Sequence, residues 1–525
     1  MNTIKITGLS HDGSGVGRLD GKVIFVPNTL PEETVAVEIG ATKKGVTFGT
    51  CTEIIEANPH RRTPPCPLAE QCGGCALQIA DDTLQGKLKE QQVRDALTRI
   101  GKLDLDVLPI KTMAHPWRYR NKGIFHVDET RGMAQLGFYE KNSHTLVPAK
   151  DCLLFSQQVS QLVAWIEEAI TNSGIAGNID KVMIRESHLT GEMMVVFVTS
   201  EQKFRHQKMV DALKEEWPAV VSIWQNINTN PRLMLGRAYN LLAGEETIRE
   251  QLGTLTYALS PASFFQVNTE QAEVLYQCGK DVLNLQGNEA ILDLYCGIGT
   301  IGSFMAQKNQ HLIGVDSVSQ AIDDAKEAAH KNGFINAHFY TAKAEVWLPN
   351  WQKKGGKADI AIIDPPRKGC DTRLLDTLIT ANIPKILYIS CNPATLARDL
   401  KHLSNHYTIS AVQPVDLFPQ TSHVETVALL SKLDVDKHIS VEIELDELDL
   451  TSAESKATYA QIKEYILEKF NLKVSTLYIA QIKRKCGIEL REHYNKSKKE
   501  KQVIRQCTPE KEEAIMDALR HFKMI

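Results

Sequence analysis

No run in this 525-residue chain is apolar for long enough to span a bilayer. Its opening residues, MNTIKITGLSHDG, carry no apolar core of signal-peptide length. A membrane partner is therefore not expected, and the chain is read as cytoplasmic. Bulk charge is missing as well. Lys and Arg number 60 against 64 Asp and Glu, a net charge of -4, so any hold on nucleic acid has to come from local basic patches. The remaining composition, 43% hydrophobic and 24% charged, is that of an ordinary soluble globular protein. The length allows about three or four domains, each with its own core. In a reducing compartment the 11 cysteines are not a disulfide framework; they are candidates for metal binding or catalysis.

The chain is organised around Leu387-Tyr-Ile-Ser-Cys391-Asn-Pro-Ala-Thr-Leu-Ala-Arg-Asp399. An apolar, β-rich run turns sharply at Asn-Pro and becomes helical in pattern. Such a turn holds one side chain, Cys391, at the carboxyl edge of a sheet, where α/β proteins place their ligands. The dipole of the following helix is expected to lower the thiol pKa and favour the nucleophilic thiolate. A lone cysteine is more often a small buried hydrophobe; its company argues otherwise.

Residues 1–58 are short apolar runs (Thr3–Ile6, Lys22–Val26, Thr34–Ile39, Thr47–Ile55) broken by Gly, Asp, Asn and Pro, the spacing of a small antiparallel barrel. Lys5, Arg18, Lys22, Lys43 and Lys44 scatter positive charge over it, suiting either single-stranded RNA or a packing module. The Gly13-to-Arg18 loop and the pattern through Val26-Pro27 resemble a TRAM domain. Cys66, Cys72 and Cys75 follow, the last two as Cys-Gly-Gly-Cys, so three thiols can reach one metal centre. Cys152 is the nearest candidate for a fourth ligand. A four-cysteine zinc site is the generic alternative, and spacing leaves the metal open. It is not the C-x3-C-x2-C spacing of radical enzymes that cleave S-adenosylmethionine. Cys51, Cys278, Cys486 and Cys507 lack such partners and are expected to be inert.

Residues 82–101 read as an amphipathic helix, which can pack on the catalytic domain. Trp117-Arg-Tyr-Arg-Asn-Lys122 interleaves rings with cations, the pattern that stacks on unpaired bases and holds phosphates, or else an ordinary strand with a charged face. The rest of 59–260 alternates strand-like and helical runs without a catalytic motif, an α+β region expected to grip a substrate. From Pro261 the pattern is doubly wound α/β. The strand Ala290–Tyr295 leads into Cys296-Gly297-Ile-Gly299-Thr300-Ile-Gly302, and the next strand ends in Asp316, where a carboxylate can bond ribose hydroxyls. Gly297-x-Gly299-x-x-Gly302 also matches the dinucleotide fingerprint, so an NAD enzyme is a rival. Two additions favour a nucleoside cofactor beside a planar substrate and a covalent nucleophile: Asp364-Pro-Pro-Arg-Lys-Gly369 after the strand Asp359–Ile363, and Cys391 after the next.

Asp293-Leu-Tyr-Cys-Gly-Ile-Gly-Thr300, Asp364-Pro-Pro-Arg-Lys-Gly369, Ser390–Asp399 and Asp416-Leu-Phe-Pro-Gln-Thr-Ser-His-Val-Glu425 together resemble the ordered motifs of RNA uracil-5-methyltransferases. The resemblance covers roughly residues 1–432 and is strongest to the ribosomal branch, since the tRNA branch generally lacks the barrel and the cysteine cluster. It implies a multidomain α/β protein: a TRAM-like barrel over 1–58, a central α+β RNA-binding domain over 59–260, a Rossmann-like methyltransferase domain over 261–432 and an extension over 433–525. It implies Cys391 as nucleophile at uracil C6 and Glu425, on a Thr421–Leu430 strand, as the base that removes the C5 proton. It implies S-adenosylmethionine held by Gln266, Tyr295, Gly297, Gly299, Thr300, Asp316 and Asp364, with Asp364 or Gln266 also touching the base. It implies a [4Fe-4S] cluster on Cys66, Cys72, Cys75 and Cys152. The substrate would be RNA, 23S ribosomal RNA ahead of tRNA, handled by a monomer. The rival from another class is an inactive metal-containing RNA-binding protein, against which the intact motifs argue.

Beyond residue 432 the family motifs say nothing. An acidic strand-like run, His438–Leu450, precedes helical patterns at 457–470, 476–486 and 509–522. Residues 483–505 carry nine Lys or Arg against three Glu. A helix-turn-helix-like RNA binder and a solvated basic linker both fit.

Overall fold

The computed structural model describes residues 2–43, 45–130, 132–141, 143–433, 459–470, 472, 474, 476–486, 509–522 and 524. They form two compact units, Met1–Val435 and Asp436–Ile525.

Strands β1 (Asn2–Leu9), β2 (Gly15–Leu19), β3 (Lys22–Val26), β4 (Thr34–Lys43) and β5 (Val46–Glu56) close into a barrel in the order β1-β2-β3-β5-β4. Alternate residues point inward, and Ile4, Ile6, Ile24, Val26, Val35 and Val37 make its core. Two expectations change. The barrel is not wholly antiparallel: its seam is the parallel pair β3–β5, held over only Ile24↔Thr47 and Phe25↔Phe48. Residues 13–18 are not only a loop, because they begin β2. A Cβ on Gly15 would stand 2.1 Å from Thr29 Oγ1, so glycine is there for close strand packing and conceals the strand.

Helix α1 (Asp82–Ala96) starts on the Asp81 cap and runs into a π turn, Leu97–Gly101. Val93, Ala96 and Leu97 are buried in a core shared with the C-terminal sheet. The central sheet holds β6 (Lys122–Thr130), β7 (Met133–Tyr139), β8 (Leu146–Pro148), β9 (Lys181–Glu186), β10 (Met193–Thr199), β11 (Val220–Ile227) and β12 (Ala238–Gly244), in the order β12-β11-β10-β9-β6-β7-β8. Helices α2 (Gln157–Ser173) and α3 (Gln207–Glu216) cover one face. Met183, Met194 and Val196 on the other face share a core with the hairpin β13 (Ile248–Leu252) and β14 (Leu255–Leu259) and with the domain that follows.

That domain alternates α4 (Thr269–Leu283), β15 (Ile291–Leu294), α5 (Thr300–Met305), β16 (Leu312–Asp316), α6 (Ser319–Lys331), β17 (Ala337–Thr341), α7 (Ala344–Lys353), β18 (Ile360–Ile363), α8 (Thr372–Thr380), β19 (Lys385–Ser390), α9 (Pro393–Leu403), β20 (Tyr407–Val415) and β21 (Glu425–Lys432). The sheet order is β17-β16-β15-β18-β19-β21-β20, parallel from β15 to β19, with β21 antiparallel to both β19 and β20. β15 and β18 are buried along their whole length, as strands covered by helices on both faces must be.

The second unit packs α10 (Tyr459–Phe470), α11 (Thr476–Lys485) and α12 (Pro509–His521) around Ile462, Ile466, Ile479, Ile482, Ile515 and Leu519. The strand-like run 438–450, Cys507 and the basic stretch beyond Cys486 lie outside the described residues. Among the described residues no helix is long and apolar enough to cross a membrane.

Candidate active site

Strand order reverses between β15 and β18, and α/β sheets bind ligands in the crevice that opens at such a point. A cavity of about 840 Å³ fills it. Cys391, Glu425, Asp364 and Gln266 line one part of it, with Tyr295, Gly297, Thr300 and Asp316 along the glycine loop. Of the residues expected at the site, Gly299 alone is not on the cavity wall.

The glycine loop follows β15. Tyr295, Gly297 and Gly299 all have left-handed backbone, with φ of 66°, 55° and 77°. A Cβ on Gly297 would meet no atom within 4 Å, so this glycine leaves open space beside the loop. A Cβ on Gly299 would lie 3.1 Å from the Phe339 ring and one on Gly302 2.7 Å from Asp293 Oδ2, so these two glycines serve packing behind the loop. Asp316 ends β16 and accepts from the Gly297 N–H at 3.1 Å and the Val318 N–H at 2.9 Å. Gln266 belongs to a braced segment. Asn121 donates to its carbonyl at 2.9 Å, and Asn268, which caps α4, donates to the Leu417 carbonyl at 3.0 Å.

Cys391 sits one residue past β19. Asn392 caps α9 by accepting from the Ala394 N–H at 3.0 Å, an interaction worth roughly 1 kcal/mol, and its amide donates to the Arg367 carbonyl at 3.1 Å. β19 pairs with β21 through Ser390↔Thr426. The next step along both strands brings Cys391 opposite Glu425, and facing residues of an antiparallel pair point to the same side. Glu425 therefore reaches the cavity as the first residue of β21. The strand does not begin at residue 421 as expected, because residues 416–424 form an irregular strap.

The electrostatics overturn the expectation of an acidified thiol. Burial pushes Cys391 up to about 11, the Glu425 and Asp364 carboxylates push the same way, and Arg367 opposes them. Desolvation and two carboxylates outweigh the helix N-terminus. Burial likewise raises Asp364 to about 7. Glu425, 4% exposed, is held well above the usual carboxylate range by burial and by Asp364, with Arg367 again opposing.

Arg367 and His423 line the same cavity 3.2 Å apart, and no role was read for either from the sequence. Burial, then Arg367, lowers His423 to about 4, so its ring is neutral near neutral pH. The signal was present, since both lie inside the motifs that carry Asp364 and Glu425. The run Trp117–Lys122 is less of a nucleic-acid motif than its pattern suggests. Arg118 is tied to Asp151 at 2.9 Å and to the Phe155 carbonyl at 2.8 Å, while buried Tyr119 donates to the Pro419 carbonyl at 3.0 Å.

Cys66, Cys72, Cys75 and Cys152 line one small, mostly apolar pocket with Leu68, Phe138 and Leu154. Among the described residues no group of three or more His, Cys, Asp or Glu side chains is arranged as a metal site. Burial raises the thiols of Cys75 to about 12 and Cys152 to about 11, and the neighbouring cysteines add to both shifts.

A sequence model described as tRNA (Uracil-5-)-methyltransferase matches residues 84–433, and one for the TRAM domain matches residues 2–52. An uncharacterized RNA methyltransferase of Halalkalibacterium halodurans is 41% identical over 439 residues, covering 81% of this chain and 96% of that protein. One of Listeria monocytogenes is 40% identical over 437 residues, with shares of 81% and 96%. The crystal structure of Pyrococcus abyssi tRNA (uracil-54, C5)-methyltransferase in complex with S-adenosyl-L-homocysteine aligns with a TM-score of 0.65 and 27% identity, covering 82% of this chain and 100% of that one. With a crevice of about 840 Å³ at the switch point and two thirds of its length matched, the chain belongs to the tRNA (uracil-5-)-methyltransferase family and is an S-adenosylmethionine-dependent RNA methyltransferase with a TRAM domain.

Proposed function

We propose that this enzyme makes 5-methyluridine in large-subunit, 23S ribosomal RNA through a transient bond between Cys391 and the target base. The observation that carries the reading is that Cys391 and Glu425, each next to the Ser390↔Thr426 pair of β19 and β21, line one cavity with Asp316.

Uracil C5 is too weak a nucleophile to take a methyl group unaided. The Cys391 thiolate adds to C6, forming the S–C6 bond and sending an electron pair into the C4 carbonyl. C5 of the resulting enolate then takes the methyl group as the C4 carbonyl re-forms, the bond from methyl to sulfonium sulfur breaking to leave a neutral thioether. Glu425 removes the proton from C5, the electron pair returns, and the S–C6 bond breaks to release Cys391. When bound, S-adenosylmethionine supplies the methyl on a sulfonium. Asp316 suits the ribose hydroxyls, and the open backbone at Tyr295 and Gly297 suits close approach of the nucleoside. Asp364 or Gln266 pairs with the polar edge of the base. Arg367 keeps positive charge beside sulfur and carboxylate alike. Phe264, 64% exposed on the cavity lining, offers a ring for stacking, and the target uridine leaves its own stack to enter.

Four thiols around one pocket, with no charged oxygen or nitrogen donor on its lining among the described residues, suit a sulfur-ligated centre. The reading gives Cys66, Cys72, Cys75 and Cys152 a [4Fe-4S] cluster, with four-thiolate zinc as the alternative. Held there, such a centre would be structural, with Cys66, Cys72 and Cys75 as ligands from one loop and Cys152 from another segment.

The ribosomal reading rests on the resemblance to the branch that carries both a TRAM-like barrel and a cysteine cluster. A second reading, tRNA, is favoured by the similarity to the Pyrococcus abyssi enzyme. Mass mapping of ribosomal RNA and tRNA from cells with and without the protein separates the two. We expect a 5-methyluridine to vanish from the large-subunit RNA; its loss from tRNA alone would overturn the ribosomal assignment.

A further inference from the structure

The strap 416–424 carries Phe418 and His423 to the cavity and leads into Glu425, yet it has no regular secondary structure. No described residue hydrogen-bonds the Glu425 carboxyl, so its place is set by the backbone on either side. The midpoint of the strap is Gln420. It is fully buried and stands at φ 70°, where an amino acid other than glycine is strained.

Four neighbours, all far away in the sequence, hold it there. Its N–H donates to Gln85 Oε1 at 3.0 Å, and Gln85 Nε2 donates back to its Oε1 at 2.9 Å. Arg62 donates to the same oxygen at 3.0 Å. The Leu77 N–H donates to its carbonyl at 3.0 Å, and its amide reaches Asp82 Oδ1 at 3.4 Å. Two of these neighbours lie on α1 and one lies two residues past Cys75. On the side nearer Glu425, Ser422 Oγ donates to the His11 carbonyl of the barrel at 2.9 Å. Glycine would accept this φ without strain. That glutamine stands there makes its amide the useful feature.

We infer that Gln420 is a positioning residue for methyl transfer: its amide fastens the strap to α1 and the cysteine loop, and so fixes where Glu425 meets the C5 proton. The inference rests on the reading of Glu425 as the base. It assigns a specific defect to loss of the amide. Addition at C6 needs only Cys391, whereas release needs Glu425 in place, so the covalent adduct should form and then persist.

The test measures adduct breakdown and cofactor affinity in Gln420→Gly, Gln420→Asn and Gln85→Ala, with Glu425→Gln as control. The glycine variant relieves the strained φ while removing the amide, and asparagine tolerates left-handed backbone and keeps a shorter one. Expected for Gln420→Gly are adduct breakdown slowed roughly 10- to 100-fold, as misplacement of a catalytic group by about 1 Å produces, and S-adenosylhomocysteine affinity within about twofold of the parent. Gln420→Asn should recover part of the rate, and Gln85→Ala should reproduce part of the defect. Unchanged breakdown in Gln420→Gly, or equal losses of adduct formation, breakdown and cofactor affinity, would overturn the inference. An adduct with Glu425→Gln but none with Gln420→Gly sinks the positioning role alone. No adduct in either sinks the reading of Glu425 itself.

Discussion

Arg367 is the cation whose charge acts on both Cys391 and Glu425, and in each case it opposes burial. In the proposed mechanism the Cys391 thiolate is the nucleophile, so at any pH below the thiol pKa the reactive fraction falls tenfold for each unit that pKa rises. Replacing Arg367 with Ala removes an opposing charge from beside a thiol already at about 11. The pH profile of kcat/KM for methylation should therefore move to more alkaline pH, with about a tenfold loss near pH 7.5 for each unit moved. Arg367→Lys should keep most of the profile. An Ala variant with an unshifted profile would show that the guanidinium does not tune the sulfur. The position of Cys391 was legible in the sequence because a strand, a sharp Asn-Pro turn and a helix are local signals. The direction of its pKa was not, since Glu425 and Asp364 arrive from other strands.

Elements meet at the site through polar contacts that no local pattern announces. Lys89 on α1 donates to Asp416 Oδ1 at 2.6 Å and to the Phe418 carbonyl at 3.0 Å, with the lysine and aspartate side chains 1% and 6% exposed. Burial drives both toward neutrality, the amine down and the carboxyl up. Lys89→Met would leave Asp416 buried without its partner, at a cost of roughly 3 kcal/mol. Chemical denaturation should show that loss, and Lys89→Met combined with Asp416→Asn should lose less than the two changes summed. Strict additivity would mean that the pair is not coupled. The amphipathic pattern of 82–101 marks the helix, but Lys89 looks there like any solvated cation. The hairpin β13–β14 escaped the sequence reading too, since its two strands are five residues each and joined by only two.

At the scale of the whole molecule, barrel, central sheet and doubly wound sheet form one unit, while the tail has a core of its own. A chain ending at residue 433 should bind S-adenosylhomocysteine within about twofold of the full-length affinity, because separate cores fold separately. Lost binding would place the tail within the catalytic machinery. The parallel sheet was legible from its buried apolar runs and the barrel from its short spaced ones, whereas the parallel β3–β5 seam was not, since two residue pairs leave little pattern. The proposed mechanism turns on one covalent step, and a trapped intermediate tests that step directly. Glu425→Gln enzyme, incubated with S-adenosylmethionine and ribosomal RNA from cells lacking the enzyme, should accumulate a species stable on denaturing gels. Peptide mass mapping should place the modified nucleotide on Cys391, and Cys391→Ala should form no such species while still binding S-adenosylhomocysteine. Full methylation by Cys391→Ala, or an adduct mapped to a different residue, would contradict the account.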